Sequence, residues 1–248
     1  MVLEQKKMLG DYLGKIGIDD NADKIEKIFE YLEIVYKKNK VVNLIGTKEK
    51  KDIFIKHILD SLSIFNIKIL REGELKEKRI IDIGTGGGLP GMLLAIFLPQ
   101  SKIFLLDKSK KKTGFLRETI EALDLRNIIV ITDRAEELSR KSNFREKFDI
   151  VIARAVTKLN ILLELAIPFC TIHGKIIFYK SKKVFEEIKE HSEAISKLGG
   201  GFEELCDVEV PDLEGFRTFL ILKKDKRTPL KYPRNFAKIK RKPLQKII

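Results

Sequence analysis

Several residue types are scarce in this chain, and their scarcity excludes several classes of protein. The 248 residues include no tryptophan, three histidines and two cysteines. Cys170 and Cys206 form neither a CxxC motif nor a disulfide framework, which is the pattern that a reducing compartment permits. The three histidines show no metal-ligand spacing, so we expect no metal site.

Long hydrophobic runs are also absent. The longest uninterrupted apolar run, Met92 to Leu98, has seven residues, whereas a helix needs about 20 to span a bilayer. The N-terminus carries no apolar segment of the kind found in signal peptides. These features predict a cytoplasmic protein without a membrane partner. With 44% hydrophobic residues, a chain of this length can bury a large core.

Positive charge is concentrated at the C-terminus. Of the formal net charge of +13, residues 1–79 contribute +3, residues 80–222 contribute nothing and residues 223–248 contribute +10. A neutral body with a basic tail is typical of proteins that bind a polyanion, most commonly nucleic acid, although a solvated terminus has the same composition. Tyr232 and Phe236 in this tail are suited either to stacking on bases or to fixing the tail against its own domain.

The apolar pattern divides the chain into three parts. Helical spacing over residues 21–36 and 52–65 predicts a helical cap in residues 1–79. Over residues 80–222, short β-rich runs alternate with segments of helical length, which predicts a mostly parallel sheet, and a turn at 211–215 predicts a closing antiparallel hairpin of 205–210 and 218–222. Residues 223–248 are the basic tail. The predicted strands of the core are Ile80–Ile83, Ile103–Leu106, Ile128–Ile131, Ile150–Ala153 and Ile176–Tyr179. The predicted helices between them are Lys112–Leu123, Leu159–Cys170 and Val184–Leu198.

The same pattern predicts where two individual residues lie, Cys170 and His173. Cys170 is expected late in the helix that begins at Leu159, as a core residue. His173 is expected at a helix end, as a cap or turn residue before Gly174.

The most informative segment, residues 81–91, reads Ile-Asp-Ile-Gly-Thr-Gly-Gly-Gly-Leu-Pro-Gly. A strand passes into glycines and then into a helix whose first turn can hold Pro90, because a missing N–H costs nothing there. Glycines permit a tight turn and a close ligand, and free N–H groups at the helix start attract an anion. Asp107, at the end of the second strand, supplies the carboxylate that holds ribose hydroxyls in such sites.

Two cofactors are compatible with this loop. Gly86, Gly88 and Gly91 satisfy the dinucleotide spacing GxGxxG. In the register of the strand end, Asp82, Gly84, Gly86 and Gly88 instead form DxGxGxG, which is typical of methyltransferases, with the first glycine at the turn. We therefore favour S-adenosylmethionine as the cofactor and keep a nicotinamide dinucleotide, with oxidoreductase activity, as the alternative.

Short segments along nearly the whole chain carry a more specific resemblance. They are 39–44 (Asn-Lys-Val-Val-Asn-Leu), 56–61 (Lys-His-Ile-Leu-Asp-Ser), 82–91, 106–109 (Leu-Asp-Lys-Ser), 134–137 (Arg-Ala-Glu-Glu), 153–156 (Ala-Arg-Ala-Val) and 231–234 (Lys-Tyr-Pro-Arg). In this combination the sequence resembles the bacterial small-subunit ribosomal RNA guanine-N7 methyltransferases, also called glucose-inhibited division protein B. The resemblance implies a Rossmann-like methyltransferase sheet, α/β in class, with an N-terminal helical cap, a closing antiparallel hairpin and a basic tail.

The resemblance also implies an activity. The expected reaction transfers a methyl group from S-adenosylmethionine to N7 of a guanine in the 530 loop of 16S ribosomal RNA, so the expected partner is this RNA or the small ribosomal subunit. Carried over by motif, the cofactor-binding positions are Gly84, Leu89, Ala135, Glu136 and Arg154. A non-catalytic ribosome-assembly factor remains the second alternative.

Guanine N7 has a lone pair and no proton, so direct in-line transfer needs alignment and exclusion of water but no general base. We therefore assign no certain catalytic residue, and we expect Arg154 and His57 to position the substrate. A structural pairing of Arg154 with a nearby acid is the alternative. We expect a monomer. Cations at strand ends and in the tail are predicted to bind RNA, namely Lys180, Arg217, Lys223, Lys224, Lys231, Arg234, Lys240, Arg241 and Lys242.

Overall fold

The computed structural model of the protein describes residues 2–19, 21–42, 44–67, 75–181, 184–215 and 217–244. Asn43, which belongs to one of the resembling segments, lies outside these residues. The strands form one seven-stranded sheet in the order β3-β2-β1-β4-β5-β7-β6. Their bounds are β1 (Arg79–Ile83), β2 (Lys102–Asp107), β3 (Ile128–Thr132), β4 (Phe148–Arg154), β5 (Cys170–Lys180), β6 (Gly200–Val208) and β7 (Arg217–Lys224).

Strand direction follows the sequence pattern. β1 to β5 pair in parallel, and β7 runs antiparallel between β5 and β6. Each central strand is apolar on both faces. In β1, Ile80 faces one core and Ile81 faces the other, as expected for a parallel sheet that helices cover on both sides. The predicted α/β fold with its antiparallel closing hairpin is confirmed.

Helices cover the two faces unequally. The helices are α1 (Val2–Lys15), α2 (Ala22–Asn39), α3 (Lys50–Ile53), α4 (Asp60–Leu62), α5 (Gly91–Phe97), α6 (Lys110–Ala122), α7 (Ala135–Leu138), α8 (Leu159–Ala166), α9 (Val184–Lys197) and α10 (Phe236–Arg241). A π-helical stretch, Phe54–Leu59, joins α3 to α4. The cap helices share one core with α5, α6 and one sheet face, whereas α7, α8, α9 and Tyr232 of the tail share the core on the other face. In the described part of the chain, no helix has the length and apolar character needed to cross a membrane.

Several local predictions were wrong at β5. The helix that begins at Leu159 ends at Ala166, and Cys170 is the first residue of β5, although it is buried as expected. His173 lies inside this strand with φ of 68°, and the register between β4 and β5 shifts nearby. A bulge of this kind accepts turn-like residues such as His-Gly within a strand.

Pro90 was predicted in the first turn of the helix after the glycine loop. It stands just before this helix, α5, which begins at Gly91.

The described part of the tail, residues 223–244, packs against the body. Tyr232 is buried, and α10 directs Ile239 inward, whereas Lys238, Lys240 and Arg241 are exposed. Asn235 caps this short helix, since its side-chain oxygen accepts a hydrogen bond from the Lys238 N–H at 2.9 Å. Of the two roles open to Tyr232, the structure therefore favours fixing the tail to its own domain.

Candidate functional site

The glycine loop leaves β1 at the carboxyl edge of the sheet. Gly84, Gly86 and Gly88 all have positive φ, at 68°, 61° and 104°. Residues other than glycine rarely adopt such values. A Cβ on Gly84 would come within 2.9 Å of the Val156 side chain. The loop therefore turns tightly and passes close to the segment that follows β4.

Asp82 holds the loop from below. Its Oδ2 atom accepts hydrogen bonds from the Thr85 hydroxyl at 2.7 Å and from the Gly91 N–H at 3.0 Å. The side chain is buried, and burial raises its pKa to about 6, against the lowering effect of these two hydrogen bonds. Asp82 thus ties the start of the loop to the start of α5.

The cap supports the loop from above. The buried Tyr31 hydroxyl of α2 donates a hydrogen bond to the Gly87 carbonyl at 2.7 Å. Asn39, at the end of α2, accepts from the N–H groups of Leu44 and Ile45 with its Oδ1 atom. This holds the chain after α2 against the glycine loop, where a Cβ on Gly87 would lie 3.3 Å from Ile45.

Asp107 ends β2 beside the loop, as predicted. Its Oδ2 atom accepts from the Gly86 N–H at 3.1 Å, and its Oδ1 atom accepts from the Ser109 N–H at 2.8 Å. Each carboxylate oxygen can accept a further hydrogen bond. The carboxylate is therefore fixed in place and keeps the capacity to accept from the two hydroxyls of a ribose.

A cavity of about 450 Å³, here called the glycine-loop cavity, opens over these strand ends. It offers carboxylates, cations and an apolar wall. The residues that give it this character include Gly84, Asp107, Lys108, Lys112, Asp133, Arg134, Ala135, Val156, Leu165 and Phe236. A carboxylate suits ribose hydroxyls, an ammonium group suits a carboxylate and the apolar wall suits a flat aromatic base.

A second cavity of about 540 Å³, here called the arginine cavity, lies beside the first. In its wall, the buried Asp60 carboxylate accepts from Arg154 at 3.0 Å with Oδ2 and from Arg217 at 2.5 Å with Oδ1. The Arg154 and Arg217 side chains are 10% and 21% exposed. One carboxylate thus holds two guanidinium groups at the wall of the cavity. The expected structural pairing of Arg154 with an acid is present.

His57 completes this cluster. Its Nδ1 atom lies 3.1 Å from an Arg154 nitrogen, and its Nε2 atom lies 3.0 Å from the Thr47 hydroxyl. Since the guanidinium can only donate, Nδ1 must accept and the proton sits on Nε2. Burial, and secondarily the nearby Arg154, lower the His57 pKa to about 4. The imidazole is therefore neutral at physiological pH and acts as an acceptor for Arg154.

The two cavities meet at residues 155–157, which line both. Ala155 has φ of 53°, an uncommon backbone conformation for a residue other than glycine. This segment follows β4, next to β1 at the point where the strand order reverses. Ligands of open α/β sheets bind at that point, beyond the carboxyl ends of the strands. A molecule in one cavity could therefore meet a molecule in the other.

The predicted cofactor residues fall into three groups. Gly84, Asp107 and Ala135 line the glycine-loop cavity. Arg154 lines the arginine cavity instead. The remaining positions are not among the residues that line the glycine-loop cavity, namely Asp82, Gly86, Gly88, Leu89 and the buried Glu136, which pairs with Arg134 at 3.5 Å.

The predicted RNA-binding cations are also divided. Lys224 requires a correction: its side chain is fully buried, with Nζ 3.3 Å from Glu146 and hydrogen-bonded to the Ile167 carbonyl, so it cannot reach RNA from this position. Arg234 is mostly buried against Glu164, and Lys180 is paired with Glu187 at 2.7 Å in the wall of the arginine cavity. Arg217 binds Asp60 there. The exposed cations are Lys223, Lys231, Lys240, Arg241 and Lys242.

Sequence reasoning missed most of the residues that line the glycine-loop cavity, among them Lys112, Val156, Leu165 and Phe236. Lys112 stands in the first turn of α6, where its spacing from Asp107 was available as a signal. Val156 and Phe236 reach the cavity only through the packing of the β4 loop and the tail. For those two, no local sequence pattern indicates the contact.

The fold and the site together define a class. A glycine loop after β1, a carboxylate ending β2 and an antiparallel β7 between β5 and β6 are features of S-adenosylmethionine-dependent methyltransferases, whereas dinucleotide-binding sheets have the order 3-2-1-4-5-6. Among solved structures, a predicted O-methyltransferase from Agrobacterium tumefaciens has a similar fold, with a TM-score of 0.51 at 20% identity over 68% of this chain and 80% of that one. The fibrillarin pre-rRNA processing protein of Methanococcus jannaschii has a TM-score of 0.50 at 18% identity over 66% and 74% of the two chains.

Sequence comparison identifies the family. The family model of rRNA small subunit methyltransferase G (GidB) matches residues 24–209. A ribosomal RNA small subunit methyltransferase G from Lachnoclostridium phytofermentans is 39% identical over 94% of both chains, and one from Acetivibrio thermocellus is 36% identical over 98% of both. The chain belongs to the rRNA small subunit methyltransferase G family, which confirms the resemblance predicted from its motifs.

Proposed function

We propose that the protein transfers a methyl group from S-adenosylmethionine to N7 of a guanine in the 530 loop of 16S ribosomal RNA. The observation that carries this proposal is the junction of the two cavities at residues 155–157. One cavity has the donor and acceptor groups of a nucleoside site, and the other is lined by cations. Family membership supports small-subunit ribosomal RNA as the substrate.

The residues of the glycine-loop cavity fit S-adenosylmethionine. We assign the ribose hydroxyls to Asp107, the methionine carboxylate to Lys112, and the adenine to the apolar wall at Ala135 and Leu165. The N–H groups of the glycine loop are not assigned to the cofactor, because those of Gly84, Thr85, Gly86, Gly88 and Leu89 already donate within the protein. Glycine at position 84 lets the loop pack directly against Val156, a residue of the cavity wall, because a Cβ there would come within 2.9 Å of the Val156 side chain. When bound, the cofactor supplies an electrophilic methyl group on its sulfonium sulfur.

The arginine cavity is assigned to the target guanine. N7 attacks through its lone pair, so no side chain has to remove a proton, and the neutral His57 is not needed as a base. Asp60 and His57 fix the Arg154 guanidinium in one orientation. We infer that Arg154 donates to guanine O6 or to a phosphate and thereby orients N7, while the cap excludes water. Exposed tail cations contact the RNA backbone.

A transfer assay with labelled cofactor tests the proposal. Small subunits and naked 16S RNA, both lacking the modification, are incubated with the protein and methyl-labelled S-adenosylmethionine. We expect label in the RNA of at least one substrate and less label with Asp107→Ala at a limiting concentration of S-adenosylmethionine. RNA binding without transfer would favour the assembly factor. Stabilisation of the protein by a nicotinamide dinucleotide and not by S-adenosylmethionine would favour the oxidoreductase.

A further inference from the structure

The tail is attached to the body by two arginine anchors, the half-buried Arg145 and Arg234, whose side chain is 14% exposed. Arg145 donates to the Tyr232 carbonyl at 2.9 Å and to the Thr228 carbonyl at 2.7 Å. Arg234 binds the fully buried Glu164 of α8 through two nitrogens, at 2.8 and 2.6 Å. A bidentate arginine–carboxylate pair such as Arg234–Glu164 fixes direction as well as position. The anchors set the chain just before α10.

Phe236, the first residue of α10, is placed by these anchors in the wall of the glycine-loop cavity. Its ring is half-buried and shares the cavity with Ala135 and Leu165. The Arg134 guanidinium lies 5.9 Å from the ring centroid. Arg134 and Ala135 follow β3, so Phe236 stands at the β3 end of the cavity, away from the β1–β4 side where the arginine cavity opens.

This position identifies the part of the ligand that Phe236 would meet. A methyl group to be transferred must face the arginine cavity, on the β1–β4 side. Asp107, at the end of β2, holds the ribose between the two ends. Because the sheet order is β3-β2-β1, the adenine then falls at the β3 end. An aromatic ring is the side chain best suited to cover a base.

We propose that the tail forms the outer wall of the cofactor site, with Phe236 covering the adenine of S-adenosylmethionine, so that cofactor binding and tail docking stabilise each other. This inference rests on the proposed function, because its ligand is the proposed cofactor. The coupling is reciprocal by thermodynamic necessity. The same short helix exposes Lys240 and Arg241, so the bound cofactor also fixes cations that we assign to RNA.

A single-tryptophan experiment tests the contact. The chain contains five tyrosines but no tryptophan, so Phe236→Trp introduces one tryptophan at the cavity wall, which can be excited at wavelengths that the tyrosines do not absorb. We expect its emission to change with added S-adenosylmethionine and to saturate at the Kd that calorimetry gives for the same variant. Phe202→Trp is the matched control, because Phe202 is 49% exposed on the edge strand β6. Its emission should not respond.

Affinity and proteolysis test the energetic coupling. By calorimetry, Phe236→Ala should bind S-adenosylmethionine roughly tenfold more weakly, whereas Phe236→Tyr, which keeps the ring, should bind nearly as the wild type does. The cofactor should slow tryptic cleavage at exposed Lys238 in the wild type and not in Phe236→Ala. Equal affinity of the wild type and Phe236→Ala for S-adenosylmethionine would refute the role of Phe236 in the cofactor site while leaving the proposed function intact. Failure of the wild type itself to bind would overturn both.

Discussion

The buried carboxylate of Asp60 allows a quantitative test of how the arginine cavity is built. Asp60→Asn keeps the size of the side chain and removes its charge. In the wild type, this carboxylate is 1% exposed and accepts from both Arg154 and Arg217. An amide has one oxygen for two guanidinium groups, and its NH₂ group would face the other one. The variant therefore loses the countercharge and at least one charge-assisted hydrogen bond.

The size of the effect follows from these contacts. A hydrogen bond to a charged group contributes about 1.5–3 kcal/mol, and removing one partner of a buried ion pair costs about 3–5 kcal/mol. Arg217 is 21% exposed, so water compensates part of its loss. We expect Asp60→Asn to lower the free energy of unfolding by about 2–4 kcal/mol.

Urea denaturation measures this change, and Asp52→Asn is the matched control. Asp52 is an exposed acid on α3 whose pair with Lys56 is 2.9 Å long, and surface pairs contribute about 0.2–1 kcal/mol. We also expect Asp60→Asn to lose methyl transfer, because Arg154 is no longer held. If Asp60→Asn lowered stability no more than Asp52→Asn and kept full activity, the role assigned to the cluster would be refuted.

Three further predictions concern the cofactor, the histidine and the tail. Asp107→Ala should weaken S-adenosylmethionine binding by about 1–3 kcal/mol in calorimetry, and unchanged affinity would remove Asp107 from the site. His57 should titrate near pH 4 by NMR. Because its pKa is lower folded than unfolded, protonation favours the unfolded chain, and stability should fall by up to about 3 kcal/mol as the pH drops from 6.5 to 4; a titration midpoint near 6.5 would contradict this. Replacing Lys240, Arg241 and Lys242 together by glutamine should reduce the salt dependence of RNA binding by about one unit for each phosphate that these cations neutralise in the wild type and leave cofactor affinity unchanged, whereas an unaltered slope would exclude them as RNA-binding residues.

The central sheet was predictable because its signals are local. Continuous apolar runs identify strands that are covered on both faces, and the glycines after Ile83 mark the turn at the end of β1. Asp107 followed from its place at the end of the next strand. The edge strand β6 begins at Gly200, earlier than the predicted Leu205, because its first residues pair with β7 without an apolar signal of their own.

What the sequence could not predict depends on contacts between distant segments. Composition makes Lys224 look like a tail cation, but its position at the end of β7 buries it against Glu146. Arg154 and Asp60 come together across 94 residues, and Phe236 reaches the glycine-loop cavity only because Arg145 and Glu164 anchor the tail. Such contacts are fixed by tertiary packing, which no spacing rule encodes.

The position of the transferred methyl group tests the central proposal most directly. Small ribosomal subunits that lack the modification would be methylated with labelled S-adenosylmethionine, and the RNA would then be cleaved by chemistry selective for N7-methylguanine. The proposal predicts a single labelled guanine within the 530 loop, cleaved at that position, and less label with Asp107→Ala at a limiting concentration of S-adenosylmethionine. Label on another nucleotide, or on an atom that resists the N7-selective cleavage, would contradict it.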